Sequence, residues 1–196
     1  MRIDRLLTEY DIDIRWTAFP LNPAVPPEGY PLADYYASRN LDMAQRVEHM
    51  RQVADQLGLP FGKREKIYNS RLAQELGKCA EKNELGEEFH RAVFTAYFAE
   101  NKNIAEAATL EAIGEQVGLD KTQIRKVITS RTFRTAVDED WQRARQLGIN
   151  AVPTFVLNGS HLVGAQPYDK LKQFVDYHQV PRRMNGCGSV QKEIHL

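Results

Sequence analysis

Apolar positions along the chain follow three successive spacings. Between Asp11 and Phe19 they alternate, with Ile12, Ile14 and Trp16 on one face; this predicts a strand that Pro20 and Pro23 stop and the proline-rich loop through Pro31 leads away. From Asn40 to Leu147 apolar residues recur at three and four, as in Met43, Val47, Met50, Ala54 and Leu57, then Leu72, Leu76 and Cys79, then Phe89, Val93, Ala96 and Tyr97. Leu110, Ile113 and Val117, then Ile124, Val127 and Ile128, then Phe133, Val137, Trp141 and Ala144 continue it, predicting about six helices in all. Asn40 is the expected N-cap of the first, Gly58-Leu59-Pro60 its end, and Asp120-x-x-Gln123 a capping box for a later one. After Gly148, which ends a helix, Ala151 to Leu157 reads as a strand run interrupted by Pro153. Asn158-Gly159 is a hairpin turn, and Pro167 opens a helix with Leu171, Phe174, Val175 and His178 on one face. From Pro181 the run RRMNGCGSVQKEIHL has no period and is expected to fray as a flexible tail.

Two strand regions separated by more than a hundred helical residues, with a hairpin and helix at the end, predict an α/β sheet carrying an all-helical insertion. A chain of 196 residues fits one such domain, large enough to bury roughly 70% of its unfolded surface. With 26 basic against 26 acidic residues it carries no electrostatic footprint for nucleic acid or an anionic membrane, so neither is an expected partner. The first fifteen residues, with Asp4, Glu9, Asp11 and Asp13, carry no apolar h-region, so a soluble, unexported protein is expected, and no apolar run approaches the ~20 residues of a membrane span. Two cysteines without C-x-x-C spacing suit a reducing cytoplasm.

Candidate chemistry is sparse. Cys79 follows Leu72 and Leu76 on an apolar helix face, where a thiol packs and has a raised pKa. Cys187, between Gly186 and Gly188, is expected to be exposed, a bystander thiol open to oxidation or mixed-disulfide formation. The histidines at 49, 90, 161, 178 and 195 have no metal spacing, so no metal and no cofactor is expected. Glu87-Glu88 and Asp138-Glu139-Asp140 read as solvated first turns of helices. No phosphate-binding glycine loop or nucleophile elbow is present. Pro153 stands out because a proline cannot donate within a buried strand, so that position is expected to serve something else.

GINAVPTFVLNGSHLVGAQPYDKLKQFV, from Gly148 to Val175, resembles the C-terminal half of the thioredoxin-like domain of the DsbA family. IRWTAFPLNPAVPPEG, from Ile14 to Gly29, and the stretch from Asn69 to Ile104 resemble the second strand and the helical insertion of its FrnE-like branch. The resemblance implies a thioredoxin-like part at 1–36 and 148–180, a helical insertion at 37–147 and a flexible tail at 181–196. It implies a thiol-disulfide oxidoreductase acting on thiol- or disulfide-containing proteins or glutathione, and a cis Val152-Pro153 bond. That bond would turn the Val152 N–H and C=O toward an extended partner, with Thr154 setting polarity beside it. Val152, Pro153 and Thr154 are therefore the expected substrate-binding residues.

The family's Cys-X-X-Cys motif lies upstream of the region matching Ile3 to Tyr10, so no catalytic residue is assigned and the chain is expected to be a truncated, inactive form. The resemblance also places the family's first strand between the Ile14 and Phe155 strands. Without it, two central edges are left open, each orphaned group costing ~1–3 kcal/mol. An upstream start, direct pairing of the two strands, or a second chain as in a homodimer would each relieve this. Two alternatives stand beside the oxidoreductase: a glutathione-dependent isomerase of the 2-hydroxychromene-2-carboxylate isomerase type, and a redox-inert module binding peptides or small molecules.

Overall fold

The computed structural model describes residues 2–183 and 192–195. In chain order the elements are α1 (Arg2–Glu9), β1 (Ile12–Arg15), β2 (Tyr30–Pro31), α2 (Leu32–Ala37), α3 (Met43–Gln56), β3 (Lys66–Ile67), α4 (Arg71–Lys82) and α5 (Gly86–Phe94). A π-helical turn (Thr95–Ala99) follows, then α6 (Ala107–Gln116), α7 (Lys121–Ser130), α8 (Arg134–Gln146), β4 (Thr154–Leu157), β5 (Ser160–Val163), α9 (Tyr168–Tyr177) and β6 (Lys192–His195). The chain divides into two compact units, one of residues 1–21 and 139–196 and the other of residues 22–138. The resemblance implied divisions at 36/37 and 147/148.

The first unit is built on a four-stranded sheet in the order β1-β6-β4-β5. Leu6 from α1, Tyr10 just after it, and Leu171 and Val175 from α9 pack with Ile12, Phe155 and Leu157 to form its core. β4 is shorter than the Ala151–Leu157 run because Pro153, with no N–H to give, bars the ladder from extending upstream. Asn158 and Gly159 both have positive φ, 49° and 78°, the geometry of a type I′ turn, and set β5 antiparallel to β4.

The C-terminal segment departs from the expectation of a frayed tail. Pro181 accepts from the Asp11 N–H at 2.9 Å, Tyr10 and Arg182 form a β-bridge, and Lys192–His195 run parallel to β1 with Ile14 opposite Ile194. β6 thus fills the central position expected to stand open between the Ile14 and Phe155 strands, and takes away the ground on which a homodimer was expected. The physical reason is that unpaired backbone groups in a sheet attract any extended segment within reach, whatever its side-chain pattern.

The second unit is helical, with a short antiparallel pair of β2, at the end of the proline-rich loop, and β3, within the span 37–147 that was expected to be all-helical. Leu76, Cys79, Phe89, Leu110, Ile113, Ile124 and Val127 interlock α4, α5, α6 and α7. Asp120 caps α7 by accepting from the Gln123 N–H at 2.9 Å, as its spacing predicts. The cap of α3 is Asp42, which accepts from the Gln45 N–H, and not Asn40; Asn40 is left-handed at φ 52° and turns the chain before the helix. Gly62 donates to the Phe98 carbonyl at 2.9 Å on the π turn, so close that a Cβ there would lie 2.0 Å from the Ala99 oxygen. Beside it the Arg64 guanidinium lies 4.4 Å from the Tyr97 ring centroid and donates to the Tyr97 hydroxyl at 2.6 Å.

The acidic triplet is also corrected. Asp138, Glu139 and Asp140 lie within α8, not at its first turn. Asp138 pairs with Arg71 at 2.7 Å, while Asp140 is buried and accepts from the Ala18 N–H at 2.8 Å, satisfying the chain where it leaves β1.

Candidate substrate-holding site

The approach to β4 is assembled from backbone constraints. Gly148, at φ 66°, ends α8, and the Ile149 N–H returns to the Ala144 carbonyl at 2.9 Å. The Val152–Pro153 peptide bond is cis. Behind it the Thr154 hydroxyl donates to the Ala151 carbonyl at 2.7 Å, and the Pro153 carbonyl accepts from the Gly164 N–H at 2.8 Å. Gly164 has φ 91°, a conformation that side chains other than glycine's resist, and this lets the end of β5 close onto Pro153. Farther along, Gln166 bonds the Val163 carbonyl through Nε2 at 2.6 Å, and Arg2 donates to the Ala165 and Gln166 carbonyls, each at 3.1 Å.

Within this frame the three expected residues separate. Val152 is 45% exposed and Pro153 is exposed, and among the described residues no hydrogen bond reaches the Val152 N–H or C=O. Thr154 is buried and its hydroxyl is turned inward to Ala151, so it shapes the bend and does not present a polar group to solvent. Sequence reasoning missed Val163, half exposed and opposite Thr154 in the β4–β5 ladder, and Gly164; the glycine directly after a strand run was the available signal. An exposed, unpaired backbone step next to a fixed bend can take an extended chain as an added strand.

The other candidates lie elsewhere. Cys79 is fully buried in the helical core, where burial pushes its thiol up and only Lys82 opposes this. Cys187 lies outside the described residues. His90 faces Glu81 at 3.2 Å from Nε2; burial works against the Glu81 charge, yet His90 and Lys78 hold the carboxyl below its ordinary value. Among the described residues no group of three histidines, cysteines or carboxylates is placed to hold a metal ion. No helix among them is long and apolar enough to cross a membrane.

Comparison with known families decides the kinship. The profile of the DSBA-like thioredoxin domain matches residues 1–176. The chain belongs to this family. The uncharacterized protein YwbO of Bacillus subtilis is 27% identical over 172 residues, covering 86% of this chain and 84% of that one. Among solved structures, the probable DsbA oxidoreductase SCO1869 of Streptomyces coelicolor superposes with a TM-score of 0.74 at 22% identity, covering 88% of this chain and 80% of the other. The cytosolic disulfide reductase DsbM of Pseudomonas aeruginosa superposes at 0.52 with 20% identity, over 67% of this chain and 74% of its own. The DSBA-like fold, with its thioredoxin-type α/β sheet and helical part, is thus shared with thiol-disulfide oxidoreductases.

Proposed function

We propose that this chain is a FrnE-like, cytoplasmic member of the DSBA-like family, and that it holds a thiol- or disulfide-containing protein or glutathione at Val152 and Pro153, with the buried Thr154 shaping the bend behind them. The observation that carries the reading is the exposed Val152 step, with its N–H and C=O unpaired beside the Pro153–Gly164 closure. A partner backbone in extended form pairs with those two groups irrespective of its side chains, which suits recognition of many disulfide-bearing sequences. Support for glutathione comes from the fold's likeness, at a TM-score of 0.54 and 18% identity, to a structure of Pseudomonas aeruginosa DsbM with GSH. No electron-transfer step is assigned to this chain, since its one described cysteine is buried and its two cysteines lack C-x-x-C spacing.

Titration of isotope-labelled protein with oxidised glutathione, followed by amide chemical shifts, tests this. Perturbations are expected at residues 149–154 and 163–166, and Val152→Asp is expected to weaken binding at least about tenfold by setting a charge against the incoming backbone. Shifts confined to other residues, absence of binding, or affinity unchanged in Val152→Asp would overturn the assignment.

A further inference from the structure

Within the helical unit a cleft of about 600 Å³ lies between α6 on one side and α5 with its π-helical turn on the other. Its floor is apolar. Ala92 and Ala96, one turn apart on the first wall, and Ile113 and Val117, one turn apart on the second, all line it and all pack on the helical core. An alanine has no side chain beyond Cβ, so the first wall leaves open a space that a larger residue would fill. Ala96 and Ile113 are buried, while Ala92 and Val117 are only half-buried and keep apolar surface facing the cleft. A cleft of this volume falls in the range of about 300–1,000 Å³ that holds small molecules.

The rim carries three carboxylates, Glu87, Glu88 and Glu100, against two cations, Arg91 and Lys102. Both cations are already matched, for Arg91 pairs with Glu87 at 2.6 Å and Lys102 with Glu100 at 2.7 Å. Glu88, exposed in the first turn of α5, and Gln116, exposed in the last turn of α6, are what remain. Among the described residues neither side chain has a hydrogen bond or an ion pair, and both line the cleft. The mouth therefore offers one uncompensated negative charge and one amide carbonyl, both hydrogen-bond acceptors, beside an apolar floor.

We infer that this cleft binds a small monoammonium compound with an apolar body. The ammonium donates to the Glu88 carboxylate and the Gln116 carbonyl, and the hydrocarbon part covers Ala92, Ala96, Ile113 and Val117. Charge selects this class over the others. An anion has to break an ion pair of 2.6 or 2.7 Å before it meets a free cation on the rim. A neutral apolar molecule shields Glu88 from water and gives it no donor in return. An ammonium does neither. One exposed charge is worth little, so the preference is of a few fold, and most of the affinity comes from covering the floor. None of these residues belongs to the Val152 step, so the two sites share no side chain.

The probes are hexylammonium, hexanoate and 1-hexanol, which share an alkyl chain and differ in charge, titrated into isotope-labelled full chain at low ionic strength. Hexylammonium is expected to give saturable amide shifts at residues 87–102 and 113–117, and to bind at least about threefold more tightly than hexanol, with hexanoate the weakest. Glu88→Gln, an exposed change that leaves the core untouched, should bring hexylammonium down to the affinity of hexanol. Ala92→Met fills the floor without altering charge and should weaken hexylammonium and hexanol alike by about threefold or more. Absence of saturable shifts at those residues, equal affinity for hexanol and hexylammonium, hexanoate as the tightest of the three, or binding unchanged in both variants would overturn the inference. Val152→Asp should leave hexylammonium binding unchanged, which separates this result from that of the glutathione titration.

Discussion

Arg131 grips Glu75 with two hydrogen bonds of 2.7 Å each, from Nε and from a terminal guanidinium nitrogen, across 56 residues of sequence. Arg71 adds a third at 2.7 Å, and Glu75 itself has no exposed surface. Arg131 reaches it from a left-handed residue at φ 52°, the C-cap of α7, so the turn between α7 and α8 is fastened to α4 by charge. Burial works against the Glu75 charge, yet Arg131 and Arg71 hold the carboxyl below its ordinary 4.5.

A folded pKa below the unfolded one contributes stability that is fully present above the unfolded value and is lost as pH falls through the folded value. Glu75→Gln should therefore cost about 1–3 kcal/mol near neutrality, because the partly exposed Arg131 loses its counter-charge while Arg71 keeps Asp138. Denaturant unfolding at pH 7 and at pH 3 checks this, the expected result being a difference from wild type that shrinks at the lower pH. An equal difference at both would show that the effect is one of packing alone.

Tyr10 joins α1 to α9 through a 2.5 Å hydrogen bond from its hydroxyl to Asp176. Burial, then the Asp176 carboxylate, pushes the Tyr10 hydroxyl up to about 12, while Tyr10 and Lys172 hold Asp176 below its ordinary value. The raised group contributes fully below the unfolded tyrosine value of about 10 and is lost as pH rises through the folded one; the lowered group contributes above about 4 and is lost in acid. Tyr10→Phe should thus cost about 1 kcal/mol between these limits, a fall of ~2–4 °C in Tm, and less outside them. Thermal melts at pH 7 and near pH 11 give the comparison, and a loss that grows in alkali would contradict the sign.

Cys79 should be inert. In Cys187→Ser protein the remaining thiol is expected to react with a chromogenic disulfide reagent at least about 100-fold more slowly folded than unfolded, since the thiol must first be uncovered and its thiolate is disfavoured. The purified chain should reduce insulin at the background rate, with or without that substitution. Reduction abolished by Cys187→Ser would make the C-terminal cysteine catalytic.

What the sequence determined by itself follows from local rules. The three- and four-residue spacings from Met43 to Ala144 marked the helices because each buries one face. Asn158-Gly159 marked the hairpin because both residues tolerate positive φ, and Leu72, Leu76 and Cys79 marked a packed thiol because they share a stripe. The same reading ran the strand from Ala151 through Pro153 to Leu157, whereas the ladder begins at Thr154, because a proline has no N–H to give it. Tertiary structure alone decided the rest. Glu75 is an unremarkable helix residue until Arg131 arrives from 56 positions away, and Asp140 is one acid of three until the Ala18 N–H needs an acceptor. β6 shows this most plainly: a four-residue strand with one apolar side chain has no detectable period. Its place in the sheet is set by backbone groups on β1 and β4 that come together only when the chain has folded.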